Sequence, residues 1–243
     1  RNREEIHNMD MPNDTPWSFL EAYRGKNFEG RWPTIPEMFE ISCSRFGGKK
    51  AFTAYEPTVL ALTYNQALER VTHTAAYLQA GGVGRGDRVA LTGKNSPEWA
   101  LAYLAILFAG AVVVPLDYQL KTEELAGLID FSGAALLFVD EEKYDGFDDC
   151  VSTITERISL GPSKPGYILE LPAGPPLRRE SVGDEELAAI MFTSGTTGDP
   201  KGVMLTHRNL VSDTYLSQAN LSISSNDVFY ALLPIHHSYT MTA

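Results

Sequence analysis

The sequence has little cysteine and a shortage of positive charge. Its 243 residues include two cysteines, Cys43 and Cys150, which are too few and too far apart for a disulfide scaffold or a metal cluster. Two reduced cysteines are typical of a cytoplasmic protein, and that is the location we expect. The 20 basic residues against 31 acidic ones give a formal net charge of −11. Because binding to a nucleic-acid backbone needs a basic surface, this balance argues against nucleic acid as a partner.

Residues 1–16 are polar and charged, so we expect no secretion signal in them. Residues 99–116 contain no charged side chain and are long enough to nominate a transmembrane helix. However, Ser96-Pro97 before this run is typical of a helix start, and Gly110 within it is typical of a helix end before the β-branched residues that follow. We therefore predict a buried helix followed by a buried strand, and no transmembrane segment. Peripheral contact with a membrane and the oligomeric state stay open.

Composition and pattern predict an α/β fold. Hydrophobic residues make up 44% and charged residues 21% of the chain, as in ordinary globular proteins of this size. Apolar strands alternate with helical patterns from about residue 60 to 140, the clearest helix being 64–80. This alternation is typical of a mainly parallel sheet covered by helices on both faces. In the less regular parts we expect an irregular leader at 1–33, a strand at 167–171 and a strand at 228–233.

The predicted division of the chain has three parts. Residues 1–50 form a leader and the first helix, and 51–206 form an α/β subdomain that ends in a loop rich in glycine and threonine. Residues 207–243 begin a second α/β subdomain, which is truncated.

The most informative segment is TSGTTGDPKG at 193–202, between two predicted strands. Glycine lets the backbone bend until several N–H groups point into one concavity that suits an anion. The hydroxyl groups add neutral donors, and Lys201 adds a compact positive charge. The loop is not a Walker A motif, because Lys201 follows Pro200 and precedes Gly202. We interpret it as a cradle for a polyphosphate, and the plain alternative is a solvated loop between two strands.

With its flanks, this loop resembles the phosphate-binding signature of the adenylate-forming superfamily. That family includes acyl-CoA synthetases, acyl-acyl-carrier-protein synthetases, aryl-acid ligases, amino-acid adenylation domains and luciferases. Three further segments resemble family motifs in family order, namely 62–64, 108–117 and Leu233-Pro234-Ile235-His236-His237. Two positions depart from the pattern, Phe108 where many members have lysine and Thr240 where many have glycine. The chain looks like the N-terminal part of a long-chain fatty-acid–CoA ligase.

The resemblance implies a site that holds ATP beside a carboxylic acid. The acid itself attacks the α-phosphorus and pyrophosphate leaves, so no Ser/His/Asp triad is required. His237 is implied to orient the carboxylate, with His236 and Tyr239 beside it at the acyl site. Lys201 is the second implied catalytic residue, and Thr193 is the implied contact to the Mg²⁺ that accompanies ATP. The implied phosphate contacts are Thr193, Ser194, Gly195, Thr196, Thr197, Gly198 and Lys201.

The implied function is ATP-dependent activation of a carboxylic acid to an acyl-adenylate, followed by thioester formation with coenzyme A. The segment His236-His237-Ser238-Tyr239 has no acidic residue to pair with an α-amino group, and its two histidines resemble long-chain acyl synthetases. A fatty acid is therefore the leading substrate. The alternatives are an aryl acid, a carrier-protein acceptor, or a non-catalytic ATP-binding module. Since the family's later motifs and C-terminal domain are absent from these residues, we expect the 243 residues alone to be inactive.

Overall fold

The computed structural model describes residues 16–26, 29–56, 58–147, 153–193, 200–219, 221 and 223–237. Short 3-10 helices in these ranges span Ser18–Ala22, Tyr144–Phe147 and Ile168–Glu170. The α-helices are α1 (Ile35–Phe46), α2 (Tyr64–Ala80), α3 (Pro97–Phe108), α4 (Thr122–Ser132) and α5 (His207–Gln218). The strands are β1 (Lys50–Ala54), β2 (Leu60–Thr63), β3 (Arg88–Thr92), β4 (Val112–Leu116), β5 (Leu136–Val139), β6 (Glu156–Ser159), β7 (Leu187–Thr193) and β8 (Lys201–Thr206).

A six-stranded sheet organises the described part of the chain. Its strand order is β6-β5-β3-β4-β7-β8, and β1 and β2 form a separate antiparallel pair. The neighbours from β6 to β7 are all parallel, whereas β8 runs antiparallel to β7. Parallel neighbours need a connection that returns along the sheet, and α3 and α4 provide it on either side of β4. The predicted α/β fold with a mainly parallel sheet is confirmed.

Helices cover both faces of this sheet. Successive residues of a strand point to opposite sides, so one strand contributes side chains to two cores. Val89 and Leu91 of β3 join a large core that includes side chains of α1, α2, α3 and α5. Ala90, between them, joins a smaller core with Leu125 and Ile129 of α4. Strands β4 and β5 are buried along their whole length, which explains their continuous apolar sequences.

The long apolar run folds into the predicted helix and strand. Ser96 Oγ caps α3 by accepting a hydrogen bond from Trp99 N (3.1 Å), and Pro97 occupies the first helical turn. The helix ends before Gly110, whose φ of 85° is a left-handed conformation that suits glycine after a helix. Strand β4 begins two residues later, at Val112. No helix in the described ranges is both long and apolar enough to cross a membrane.

Two strand predictions are wrong. Within 167–171, Ile168–Glu170 forms a 3-10 helix, and Tyr167 makes only an isolated bridge to Ser159. The strand of this region is β6, whose first two residues are only partly buried, so its sequence lacks the apolar pattern of the inner strands. Residues 228–233 pair with no strand in the described part of the chain, and Val228 is 93% exposed. A β-prone sequence forms a strand only where a neighbouring strand is available.

The leader is attached to the rest of the fold. It is not wholly irregular as predicted, since it includes the Ser18–Ala22 helix, and Trp32 is buried in the large core. The Trp32 N–H donates to Asp184 Oδ2 (3.0 Å), and the Ile35 N–H donates to His207 Nδ1 (3.2 Å). Asp184 precedes β7 and His207 begins α5, so these two bonds connect the start of the described chain to the elements around the predicted phosphate loop.

Candidate functional site

The predicted phosphate loop joins two paired strands. Strand β7 ends at Thr193, β8 begins at Lys201, and these two residues are partners in the antiparallel register. Side chains of directly opposed residues lie on the same face of a sheet, so a hydroxyl and an ammonium group flank the loop together. Both residues are exposed. Further predicted phosphate contacts lie outside the described residues and stay predictions: Ser194, Gly195, Thr196, Thr197 and Gly198.

The Thr193–Lys201 pair lies at the carboxyl edge of the parallel strands. Strand β7 runs parallel to β4, with Ala189 opposite Val113. Asp117 directly follows β4 and Thr193 ends β7, so both residues lie at the carboxyl ends of neighbouring parallel strands. This is the edge at which α/β proteins bind their ligands.

His236 and His237, at the end of the motif at 233–237, reach the same edge of the sheet, and they differ in exposure. His236 is only 6% exposed, and its Nε2 lies 3.6 Å from Asp117 Oδ1, longer than a hydrogen bond. Burial lowers the pKa of His236, and the Asp117 carboxylate opposes that shift. His237 is exposed, with its ring centroid 4.3 Å from that of His236. The structure thus turns His236 towards the sheet and leaves His237 accessible to a ligand.

The segment before the histidines is held by Asn95, a residue that the sequence analysis missed. Asn95 Nδ2 donates to the carbonyl oxygens of Ala231 (2.8 Å) and Leu233 (2.7 Å). Its Oδ1 accepts a hydrogen bond from the Ile235 N–H (2.9 Å). One signal was present, because Asn95 stands in the turn between a predicted strand and the helix start at Ser96, at the ligand-binding edge.

The turn that carries Asn95 is itself fixed from the next strand. The Lys94 N–H donates to Asp140 Oδ2 (2.6 Å), and Asp140 follows directly after β5. Burial raises the pKa of Asp140, and the hydrogen bond from Lys94 partly offsets this shift. A Cβ atom at position 93 would lie 2.6 Å from Asp140 Oδ1, so a larger residue than Gly93 would displace the carboxylate that binds Lys94 N.

One predicted site residue and the predicted metal contact stay predictions. Tyr239 lies outside the described residues. Within the described ranges, no group of three or more His, Cys, Asp or Glu side chains could hold a metal ion. Thr193 stays the predicted protein contact of a Mg²⁺ ion bound with the phosphates of ATP, where phosphate oxygens and waters supply ligands.

The chain belongs to the AMP-binding enzyme family, whose model matches residues 39–243. It is 30% identical over 232 residues to a crotonobetaine/carnitine–CoA ligase from Citrobacter koseri, covering 90% of this chain and 44% of that protein. It is 28% identical over 240 residues to a chloroplastic long-chain-fatty-acid–acyl-carrier-protein ligase from Arabidopsis thaliana, covering 86% of this chain and 33% of that protein.

Solved structures support the same assignment. The fold is similar to that of ATP-bound MatB from Rhodopseudomonas palustris, with a TM-score of 0.70 and 30% identity over 80% of this chain and 40% of that one. The chain spans less than half the length of each of these three proteins.

Proposed function

We propose that the complete protein uses ATP to activate a carboxylic acid as an acyl-adenylate, releases pyrophosphate, and passes the acyl group to the thiol of coenzyme A. One observation carries this proposal. The Thr193–Lys201 pair of β7 and β8 lies at the same edge of the sheet as Asp117, which directly follows the neighbouring strand β4 and contacts His236 at 3.6 Å. Groups suited to polyphosphate and to a carboxylate are thus adjacent, and adjacency of the reactants is what the transfer requires.

The residues of this edge supply charge neutralisation and positioning. Lys201 neutralises charge on the phosphates, and His237, beside the buried His236, orients the acid. Charge is spread over the oxygens of a reacting phosphorus centre, so electrostatics and alignment matter more than a protein nucleophile. A carboxylate oxygen bonds to the α-phosphorus as the bond to the pyrophosphate oxygen breaks. The thiol sulfur then bonds to the acyl carbon, its proton is released, and AMP leaves. Mg²⁺ bound with the phosphates would add positive charge, with Thr193 as its contact.

A fatty acid is our first candidate for the substrate. The Arabidopsis relative is named for long-chain fatty acids, and residues 231–237 contain no acidic side chain to receive an ammonium group. The nearby carboxylate of Asp117 faces His236 instead. The Citrobacter relative is named for crotonobetaine and carnitine, which makes these compounds the second candidate. The two relatives are also named for different acceptors, so acyl carrier protein is the alternative to coenzyme A.

The test is acid-dependent exchange of labelled pyrophosphate into ATP, measured on the complete natural polypeptide with fatty acids, aryl acids, amino acids, crotonobetaine and carnitine. Exchange that peaks with medium or long fatty acids would support adenylation and the proposed substrate. A peak with another acid would keep adenylation and replace the substrate. A folded protein that binds ATP but exchanges with none of the acids would refute the proposal and favour a binding module. We expect residues 1–243 alone to give no turnover.

A second assay decides the acceptor. Thioester formation is followed with coenzyme A and with acyl carrier protein, using the acid that gave the highest exchange. Product with coenzyme A alone would support the proposed acceptor. Product with the carrier protein alone would replace it and leave the adenylation step as proposed.

A further inference from the structure

The stretch from Ala231 to Ile235 leads to the histidines but belongs to no strand. The stretch bends at Leu233, and a turn begins at Ile235. Three main-chain groups on this bent stretch contact Asn95, namely the carbonyls of Ala231 and Leu233 and the N–H of Ile235. One carboxamide therefore supplies two donors for the carbonyls and one acceptor for the N–H, and holds the bend where no strand pairs with it.

Asn95 is well placed for this task because both of its neighbours in the chain are held. On one side, the Lys94 N–H is bound by Asp140 at the end of β5 (2.6 Å). On the other side, Ser96 caps α3 through Trp99 N (3.1 Å). A carboxamide between two such fixed points keeps its direction relative to the sheet.

The hydrogen bonds of Asn95 fix the position of residues 231–235 and add little to the stability of the fold. Asn95 and its partners Ala231 and Leu233 are exposed, so water can replace each lost hydrogen bond. The histidine pair, by contrast, starts directly after Ile235, and His236 is inserted against Asp117. A shift of the stretch along the sheet edge would move His236 away from Asp117 and carry His237 with it.

We infer that Asn95 is the positioning residue that sets the register of residues 231–235 on the sheet edge and thereby places His237 at the carboxylate of the acid. This inference rests on the proposed function, because the acid site is part of that proposal. It adds to it a residue outside the four motifs of the resemblance, one that binds only the main chain of its partner segment.

Three variants of the complete polypeptide test the inference in the pyrophosphate exchange assay. Asn95→Ala removes all three hydrogen bonds and should lower kcat/KM for the acid by roughly 10- to 100-fold, as small displacements of a reacting group do. The KM for ATP should change less than about twofold, because the phosphate loop lies on other strands. Asn65→Ala removes an exposed asparagine near the start of α2 and serves as the control without effect.

The third variant, Asn95→Asp, separates positioning from simple space filling. It keeps the size and the acceptor for Ile235 but turns an oxygen towards the carbonyls of Ala231 and Leu233. We expect a loss at least as large as with Asn95→Ala, and a partial recovery relative to wild type as falling pH protonates the introduced carboxylate and restores a donor. If Asn95 only filled space, Asn95→Asp would lower kcat/KM less than Asn95→Ala, because aspartate has nearly the same size. That result would overturn the inference.

Amide hydrogen exchange makes the docking measurable without activity. The Ile235 amide should exchange faster in Asn95→Ala than in wild type, and unchanged exchange there would overturn the contact. If the wild-type protein shows no pyrophosphate exchange with any of the acids, the proposed function is refuted, and with it the role of Asn95 in placing His237 at the acid. Active variants with normal kcat/KM for the acid, or with an equal loss for ATP and acid, would overturn the positioning role alone.

Discussion

Lys201 stands at the first position of β8, opposite Thr193, where its charge can meet a bound polyphosphate. We expect Lys201→Ala to lower the rate of acid-dependent pyrophosphate exchange by roughly 100- to 1000-fold, the usual loss when one preorganised charge-stabilising group is removed. Lys26→Ala, which removes an exposed lysine outside this edge, should leave the rate unchanged. Normal exchange in Lys201→Ala would argue that the loop binds ATP without taking part in catalysis.

His207 gives the molecule a pH dependence of stability. It is 2% exposed, and its Nδ1 accepts the hydrogen bond from Ile35 N. Burial lowers its pKa to about 4, against the raising effects of Glu186, Glu37 and Asp184. The folded state therefore prefers neutral His207, and its contribution is present above pH 6.5, declines as the pH falls and is lost near pH 4.

The corresponding prediction compares His207→Asn with wild type in urea unfolding at pH 7.5 and pH 4.5. Wild type should lose on the order of 3 kcal/mol of unfolding free energy through this residue between neutral pH and pH 4, whereas the non-titrating asparagine should not. The variant should therefore depend less steeply on pH than wild type. Parallel curves for the two proteins would contradict the assignment to His207.

At the scale of single residues, the sequence was enough to nominate candidate site residues, but not to predict which groups they contact in the fold. The motif spacing was enough to nominate both histidines and Lys201, and their roles stay predictions. Which histidine is buried could not be predicted, because His236 packs beside Asp117, a residue after β4 that is far away in the sequence. Asn95 was missed because its importance comes from three main-chain groups far along the sequence, and those groups look alike in every sequence.

Helix starts are the element-scale feature that the sequence specified best. Strand β2 passes directly into α2 through Thr63, whose Oγ1 accepts from Gln66 N (3.3 Å) while Gln66 Oε1 accepts from Thr63 N (2.9 Å). We expect Thr63→Ala to lower the free energy of unfolding by about 1 kcal/mol, because the first turn of α2 loses its cap. Urea unfolding would measure this change. Thr63→Ser keeps the hydroxyl and should stay close to wild type, so an equal loss in both variants would contradict a capping role.

The elements predicted correctly have strong local signals. The helix predicted at 64–80 coincides with α2, which lies between a capping threonine and glycine. Strands β4 and β5 are central and buried, so their apolar sequences identified them. The errors fall on the edge strand β6 and on 228–233, where pairing depends on what lies alongside. The local sequence does not show which strand lies beside a segment, so it cannot predict pairing at the edge of a sheet.

At the scale of the whole molecule, Asp184 joins the leader to the sheet and to α5. Its buried carboxylate accepts from Trp32 N (3.0 Å) and lies 3.4 Å from Arg208 Nη1. We expect Asp184→Ala to lower the free energy of unfolding by about 2–4 kcal/mol, since it removes a buried charged acceptor from the Trp32 N–H and from the Arg208 guanidinium.

The neighbouring acidic residue supplies the control for this prediction. Glu185 also contacts Arg208 Nη1 (3.3 Å), but its side chain is 71% exposed. Glu185→Ala should therefore change stability by less than about 0.5 kcal/mol. Equal effects of the two substitutions in urea unfolding would mean that net charge near Arg208 matters, and not the buried bond to Trp32.

The contact made by Asn95 has a consequence for how the protein can diverge. Because the carboxamide binds carbonyl and N–H groups only, it is indifferent to the side chains of Ala231, Leu233 and Ile235. Ala231 and Leu233 are exposed and can change in size and polarity while the segment keeps its place, whereas Ile235 packs against the large core. A lineage carrying this arrangement could therefore change the acid it accepts by substitutions along the segment, without first rebuilding the scaffold that presents the histidines.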